Sequence, residues 1–155
     1  MLPELLSILS ERNKKILFVG IGNVLKQDDG AGVYISNRII PSHNIQVLTA
    51  EVSIENYIGK INSLEPDIVI IIDCADIGQG PGTCRLLRVS EINDLTFNTH
   101  NISLKRIAEF FRPEVFILGI QPENLDFGEK LSYLVKKSSD NIINLVNKQE
   151  VYYGS

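Results

Sequence analysis

Cysteine is scarce: Cys74 and Cys84 are the only two in 155 residues. They form neither a CxxC metal motif nor a disulfide framework. Each lies in or beside an apolar segment, where a small buried hydrophobe is the plainer role. Long hydrophobic runs are missing too. No apolar stretch approaches the roughly 20 residues that span a bilayer. The opening Met1-Leu2-Pro3-Glu4-Leu5 has an acidic residue where a secretory leader carries Lys or Arg. The expectation is a cytoplasmic protein without membrane insertion. Positive charge is thin as well. The formal net charge is −4, the pI is near 5.2, and basic residues form only small clusters such as Lys14-Lys15 and Lys136-Lys137. This argues against nucleic acid or any other partner held mainly through phosphates. Repeats, linkers and low-complexity tracts are absent.

What is present is an ordinary globular composition, 44% hydrophobic and 22% charged, over a length that suits a single domain spanning 1–155. Leu2, Leu5, Leu6 and Leu9 have helical spacing over residues 2–12. Residues 16–20 read as a buried strand, 30–40 as a helix, 45–49 as a second strand and 54–64 as a helix. The run 67–73 is apolar between two aspartates and reads as a strand buried on both faces. A turn at Gly78-Gln79-Gly80-Pro81-Gly82 leads to a fourth strand over 84–89. A helix over 103–111, a fifth strand over 115–120 and a helix over 129–147 complete the chain.

Strands alternating with helices predict an α/β fold, a three-layer α/β/α arrangement around a five-stranded, mostly parallel sheet. The connection between strands three and four is too short for a helical crossover, so strand four is expected to be antiparallel at an edge. Ligands of such sheets sit beyond the C-terminal ends of the parallel strands. Asp28 and Asp29 follow strand one, Asp73 ends strand three, and Gly119-Ile120-Gln121-Pro122-Glu123 ends strand five. With strand four reversed, His100 falls at the upper end of the next helix. Asp29, Asp73 and His100 are thus expected on one rim.

Two carboxylates and one imidazole suit a borderline divalent ion such as nickel or zinc, or an acid–base set. Plainer roles compete with both. Asp28 or Asp29 could cap the following helix, Asp73 could close the strand as an Asx turn, and His100 could be a loop histidine. His43 lies in a Pro-Ser-His-Asn turn and reads as nothing more. The glycine-rich Gly20-Ile21-Gly22-Asn23-Val24-Leu25 is not a dinucleotide fingerprint. Leu25 stands at the third glycine position, and no Walker lysine follows.

The segment from Gly20 to Gly32 resembles the opening signature of hydrogenase maturation proteases, G-x-G-N-x-L-x-x-D-[DE]-G-x-G. The resemblance continues at Ile72-Asp73-Cys74-Ala75-Asp76, Gly80-Pro81-Gly82, Thr99-His100-Asn101-Ile102-Ser103-Leu104 and Leu118-Gly119-Ile120-Gln121-Pro122-Glu123. The Asp-Asp form, with Glu55-Asn56 and Thr-His-Asn, is most similar to the branch serving formate-linked or energy-converting hydrogenases. In two places the chain departs from relatives. Thr49-Ala50-Glu51-Val52 replaces a glycine-rich stretch, and Ser103 stands where relatives often carry Pro.

The resemblance implies an endopeptidase that removes the C-terminal extension from the nickel-loaded large-subunit precursor of a nickel–iron hydrogenase. It implies nickel contacts at Asp29, Asp73 and His100, with the nickel supplied by the precursor rather than held permanently. Asp29 and Asp73 are the candidate catalytic residues, by metal-assisted hydrolysis or as a general base. Glu51, Gln121 and Glu123 are the candidate substrate contacts, the two carboxylates suiting a tail with Arg, Lys or His near the cut. A docking module that binds the precursor without cutting it, or another metal-assisted peptidase or amidohydrolase, stands as the alternative.

Overall fold

The computed structural model describes residues 2–91, 98–99 and 102–152. Strands β1 (Ile16–Ile21), β2 (Ile45–Glu51), β3 (Ile68–Cys74), β4 (Cys84–Arg88) and β5 (Glu114–Ile120) form one sheet. Their order is β2-β1-β3-β5-β4. β1, β2, β3 and β5 run parallel, and β4 is antiparallel to β5 at the edge, with Cys84 opposite Ile120 and Arg88 opposite Phe116. The expected strand directions hold. A two-residue ladder outside this sheet pairs Asn98–Thr99 with Ile102–Ser103.

The central strands are apolar on both faces because both are covered. Alternate side chains point to opposite sides. Ile16, Phe18, Ile70, Ile72, Leu118 and Ile120 face one core, with helices α1 (Pro3–Leu9), α2 (Ala31–Ser36) and α5 (Tyr133–Tyr152) over it. Leu17, Val19, Val69, Ile71 and Ile117 face a second core under α3 (Ile58–Ser63) and α4 (Leu104–Ala108). Ile70, Ile71 and Ile72 are fully enclosed. Each such side chain contributes about 1.5–3 kcal/mol of apolar burial.

Helix boundaries depart from those expected by period alone. The helix expected over 30–40 is a 3-10 turn, Gln27–Gly30, followed by α2, and that expected over 54–64 is a 3-10 turn, Ile54–Tyr57, followed by α3. A 3-10 turn keeps apolar side chains near helical spacing, so the pattern cannot separate the two. The last helix starts at Tyr133, not 129, because Ser132 is engaged by a carboxylate from another loop. No helix among the described residues is long and apolar enough to cross a membrane.

Two glycines set the distance between α2 and the sheet. A β-carbon on Gly32 would overlap the carbonyl oxygens of Ile72 and Ile21, and one on Gly20 would overlap the Ser36 hydroxyl and the Gly32 carbonyl. The helix therefore rests backbone against backbone on the C-terminal ends of β1 and β3. Tyr34 fastens its outer side, donating its hydroxyl to Asp140 on α5 at 2.7 Å.

This contact predicts an inverted substitution effect. Alanine normally stabilises a helix over glycine by about 1 kcal/mol. Gly32→Ala should instead lose about 1–3 kcal/mol from overpacking, read as a lower urea midpoint. A gain in stability would mean that α2 does not rest on these carbonyls.

Candidate active site

The rim above β1, β3 and β5 is made of loops whose polar groups are tied to one another. After β1, Gly22 turns the chain with φ +134°, a region that L side chains avoid, and a β-carbon there would overlap the Asp29 carbonyl oxygen. This turn folds residues 22–29 back over the strand ends. One Asp29 carboxylate oxygen accepts the Asn23 N–H at 2.9 Å, which holds the side chain over the top of β1. Asp29 does not cap α2: the N-cap position is Gly30, and no side chain bonds the helix end.

Asp28 does not cap the helix either. Its fully buried carboxylate accepts the N–H groups of Glu123 and Asn124, each at 2.9 Å, and those of Ser132, N–H at 2.7 Å and hydroxyl at 2.8 Å. Nothing in the sequence pairs Asp28 with residues about a hundred positions away. The only local hint is a second carboxylate beside Asp29.

Asp73 is fully buried inside β3, opposite Gly119 of β5, rather than in a turn after the strand. By strand alternation its side chain points to the α3/α4 side of the sheet, the side on which Leu104 and Ile107 of α4 are buried. His100, four residues before α4, lies outside the described residues. Without it, the described residues contain no group of three His, Cys, Asp or Glu suited to a metal ion.

The buried thiol of Cys74 lies in the field of several carboxylates. Burial pushes its pKa far up, and the negative fields of Asp73, Asp29 and Asp28 add to the shift in that order. Asp29 and Asp73 thus both act on the Cys74 thiol, although 44 positions separate them. The Cys84 thiol is pushed up to about 11, again chiefly by burial and partly offset by a hydrogen bond with Ser138. Both cysteines are thiols at neutral pH, as expected of small core residues. Cys74 is buried and Cys84 half-buried.

The other candidates separate into surface and support. Glu51 and Glu123 are exposed. Gln121 is buried: its amide oxygen accepts the Ile77 N–H at 2.6 Å and its amide nitrogen donates to Asp76 at 3.3 Å. It thus holds the turn after β3. Beside Asp29 a cleft of about 650 Å3 is lined by Asn23, Val24, Leu25, Glu51, Val52 and Tyr57, among others. Glu51 ends β2 at a register shift between Gly20 and Ile21 and has φ +54°, so it keeps a glycine-like backbone at the cleft wall.

A left-handed L residue costs roughly 1–2 kcal/mol, against a flexibility cost of about 0.5–1 kcal/mol for glycine. Glu51→Gly should therefore fold with equal stability or gain up to about 1 kcal/mol, whereas Glu51→Val should lose about 1 kcal/mol or more. Equal thermal midpoints for the two variants would contradict the strained backbone.

Comparison with known proteins bears on this geometry. Residues 32–149 match the family model HycI, hydrogenase maturation protease, a span that includes Asp73 and begins just after Asp29. A Methanocaldococcus jannaschii protein provisionally named a hydrogenase maturation protease is 31% identical over 145 residues, covering 84% of this chain and 85% of that protein. The hydrogenase 3 maturation protease of Escherichia coli is 29% identical, covering 79% and 82%. Among solved structures, the nickel–iron hydrogenase maturation protease HycI of Thermococcus kodakarensis superposes with a TM-score of 0.82 at 24% identity, covering 94% of this chain and 97% of that one. The solution structure of the Escherichia coli endopeptidase HycI gives a TM-score of 0.77 at 27% identity, covering 88% and 91%. With its mixed five-stranded sheet and a family match over most of its length, the chain belongs to the hydrogenase maturation proteases, a family of hydrolases.

Proposed function

We propose that this endopeptidase works in the cytoplasm and removes the C-terminal extension from the nickel-loaded large-subunit precursor of a nickel–iron hydrogenase. In a chain of this family, the observation that carries the reading is an oriented Asp29 over the end of β1 together with a buried Asp73 near the C-terminal end of the neighbouring β3. Their joint effect on Cys74 supports a shared site. The packing of α4 on the face toward which Asp73 points supports His100 as the third member.

The donor set fits the metal. Two carboxylates with one imidazole suit a borderline divalent ion, and in this reading the nickel arrives as part of the substrate. Bound there, it would supply Lewis-acid activation at the scissile carbonyl or at water. The protein's own residues then have distinct tasks. Asp73 is held rigid by the sheet and fixes the position of the substrate's metal. Asp29, restrained by Asn23, contacts the metal and is the candidate base for the attacking water. The cleft beside Asp29 takes the extended tail. Glu51 and Glu123 attract a basic residue near the cut, and Gln121 contributes by holding the turn that borders the site.

Incubation with nickel-loaded precursor should yield a product lighter by one C-terminal peptide, read by mass spectrometry, whereas metal-free precursor should stay intact. Uncut precursor in a stable complex would favour the docking alternative. His100→Ala and Asp29→Ala should each weaken precursor capture. If Asp29 is the base, Asp29→Asn should keep a coordinating oxygen and still co-purify with precursor, while cleavage falls about 100-fold or more. Wild-type cleavage by Asp29→Asn would remove this residue from the site.

A further inference from the structure

The reaction proposed above makes no use of Asp28, although Asp28 is fully buried and adjoins Asp29. Four donors meet this carboxylate: the N–H groups of Glu123 and Asn124 and the Ser132 hydroxyl on one oxygen, and the Ser132 N–H on the other. Both oxygens of Asp28 are engaged by protein donors, and every one of these donors belongs to the segment that follows β5. The backbone continues the same seam. Asp28 N–H donates to the Asn124 carbonyl at 3.0 Å, Gln27 N–H to the Gly128 carbonyl at 2.7 Å, and Gly128 N–H to the Leu25 carbonyl at 2.8 Å. Loop 121–132 is thereby fastened along loop 22–29.

The fastened loop is not packed away. Phe127 is 83% exposed, Leu125 is 49% exposed, and Glu123 is exposed. On the other side of loop 22–29 lies the cleft lined by Val24, Leu25 and Glu51. Two walls therefore flank the strip that carries Asp29, and the one side chain in loop 22–29 that gathers four donors from the second wall is the buried carboxylate of Asp28. Hydrogen bonds to a charged acceptor are about twice as strong as neutral ones. Removing the charge would leave several buried N–H groups competing for fewer acceptor sites.

We propose that Asp28 is a positioning residue that clamps loop 121–132 as the second wall of the precursor-binding site, acting on capture of the precursor rather than on the hydrolytic step. This rests on the endopeptidase reading above. Asp28→Asn keeps the side-chain shape but turns an amide NH2 toward N–H donors. It should raise the half-saturating concentration of nickel-loaded precursor about tenfold or more, with the maximal rate within about threefold of wild type. Amide hydrogen exchange should accelerate at Glu123, Asn124 and Ser132. Ser132→Ala, which removes one donor, should shift both readouts the same way by less, and it decides the matter if Asp28→Asn does not fold. A collapsed maximal rate at unchanged half-saturation would overturn the proposal. So would faster exchange at these amides with both kinetic constants unchanged, which would mark a merely structural clamp. If wild-type protein cuts no precursor, the endopeptidase reading fails by itself. The same variants are then scored by affinity for nickel-loaded precursor, where tenfold weakening supports the clamp and unchanged affinity overturns it.

Discussion

Helix α2 lies on the carbonyl oxygens of Ile21 and Ile72 because Gly32 has no side chain to hold it away. Much of the rim depends on this contact. A helix resting on side chains would stand several ångströms higher and would lift the 3-10 turn Gln27–Gly30 with it. At the observed depth the turn lies low on the strand ends, so Asp29 reaches Asn23 and its field reaches Cys74 together with that of Asp73. Gly22, folded tightly against the Asp29 carbonyl, closes the same loop from the other side. The glycines of this segment therefore set the position of a carboxylate.

Adjacent aspartates divide the work. Asp28 is buried and accepts four hydrogen bonds from loop 121–132, while Asp29 accepts the Asn23 N–H. Concentrating negative charge at the top of the sheet is costly without a cation nearby, since like charges in a partly buried site repel. In the proposed reaction the substrate supplies that cation. In that reaction the site discriminates between loaded and empty precursors, because only the loaded form brings a cation to these carboxylates.

The sheet was legible from sequence for a simple reason. Apolar runs such as 68–72 leave few alternatives to a buried parallel strand, and the short 75–83 connection forces β4 to reverse. That Asp29 follows β1 and Asp73 lies near the C-terminal end of β3 was legible from the apolar runs that precede them. Helix boundaries were less so, since 3-10 turns at 27–30 and 54–57 carry the same apolar spacing as α-helix. The role of Asp28 was hidden, because its partners Glu123, Asn124 and Ser132 are brought near only by the finished fold. Gln121 was identified as a rim residue, but its inward hydrogen bonds to Ile77 and Asp76 had no signature in the sequence.

In the proposed reaction Asp29 and Asp73 meet the precursor's nickel directly. Nickel K-edge X-ray absorption on the loaded precursor, alone and freeze-quenched with this protein before cleavage, tests it most directly. The account predicts new oxygen or nitrogen scatterers at about 2.0–2.2 Å in the complex, the range of carboxylate and imidazole ligands to a comparable divalent ion. An unchanged nickel shell in a formed complex would contradict it.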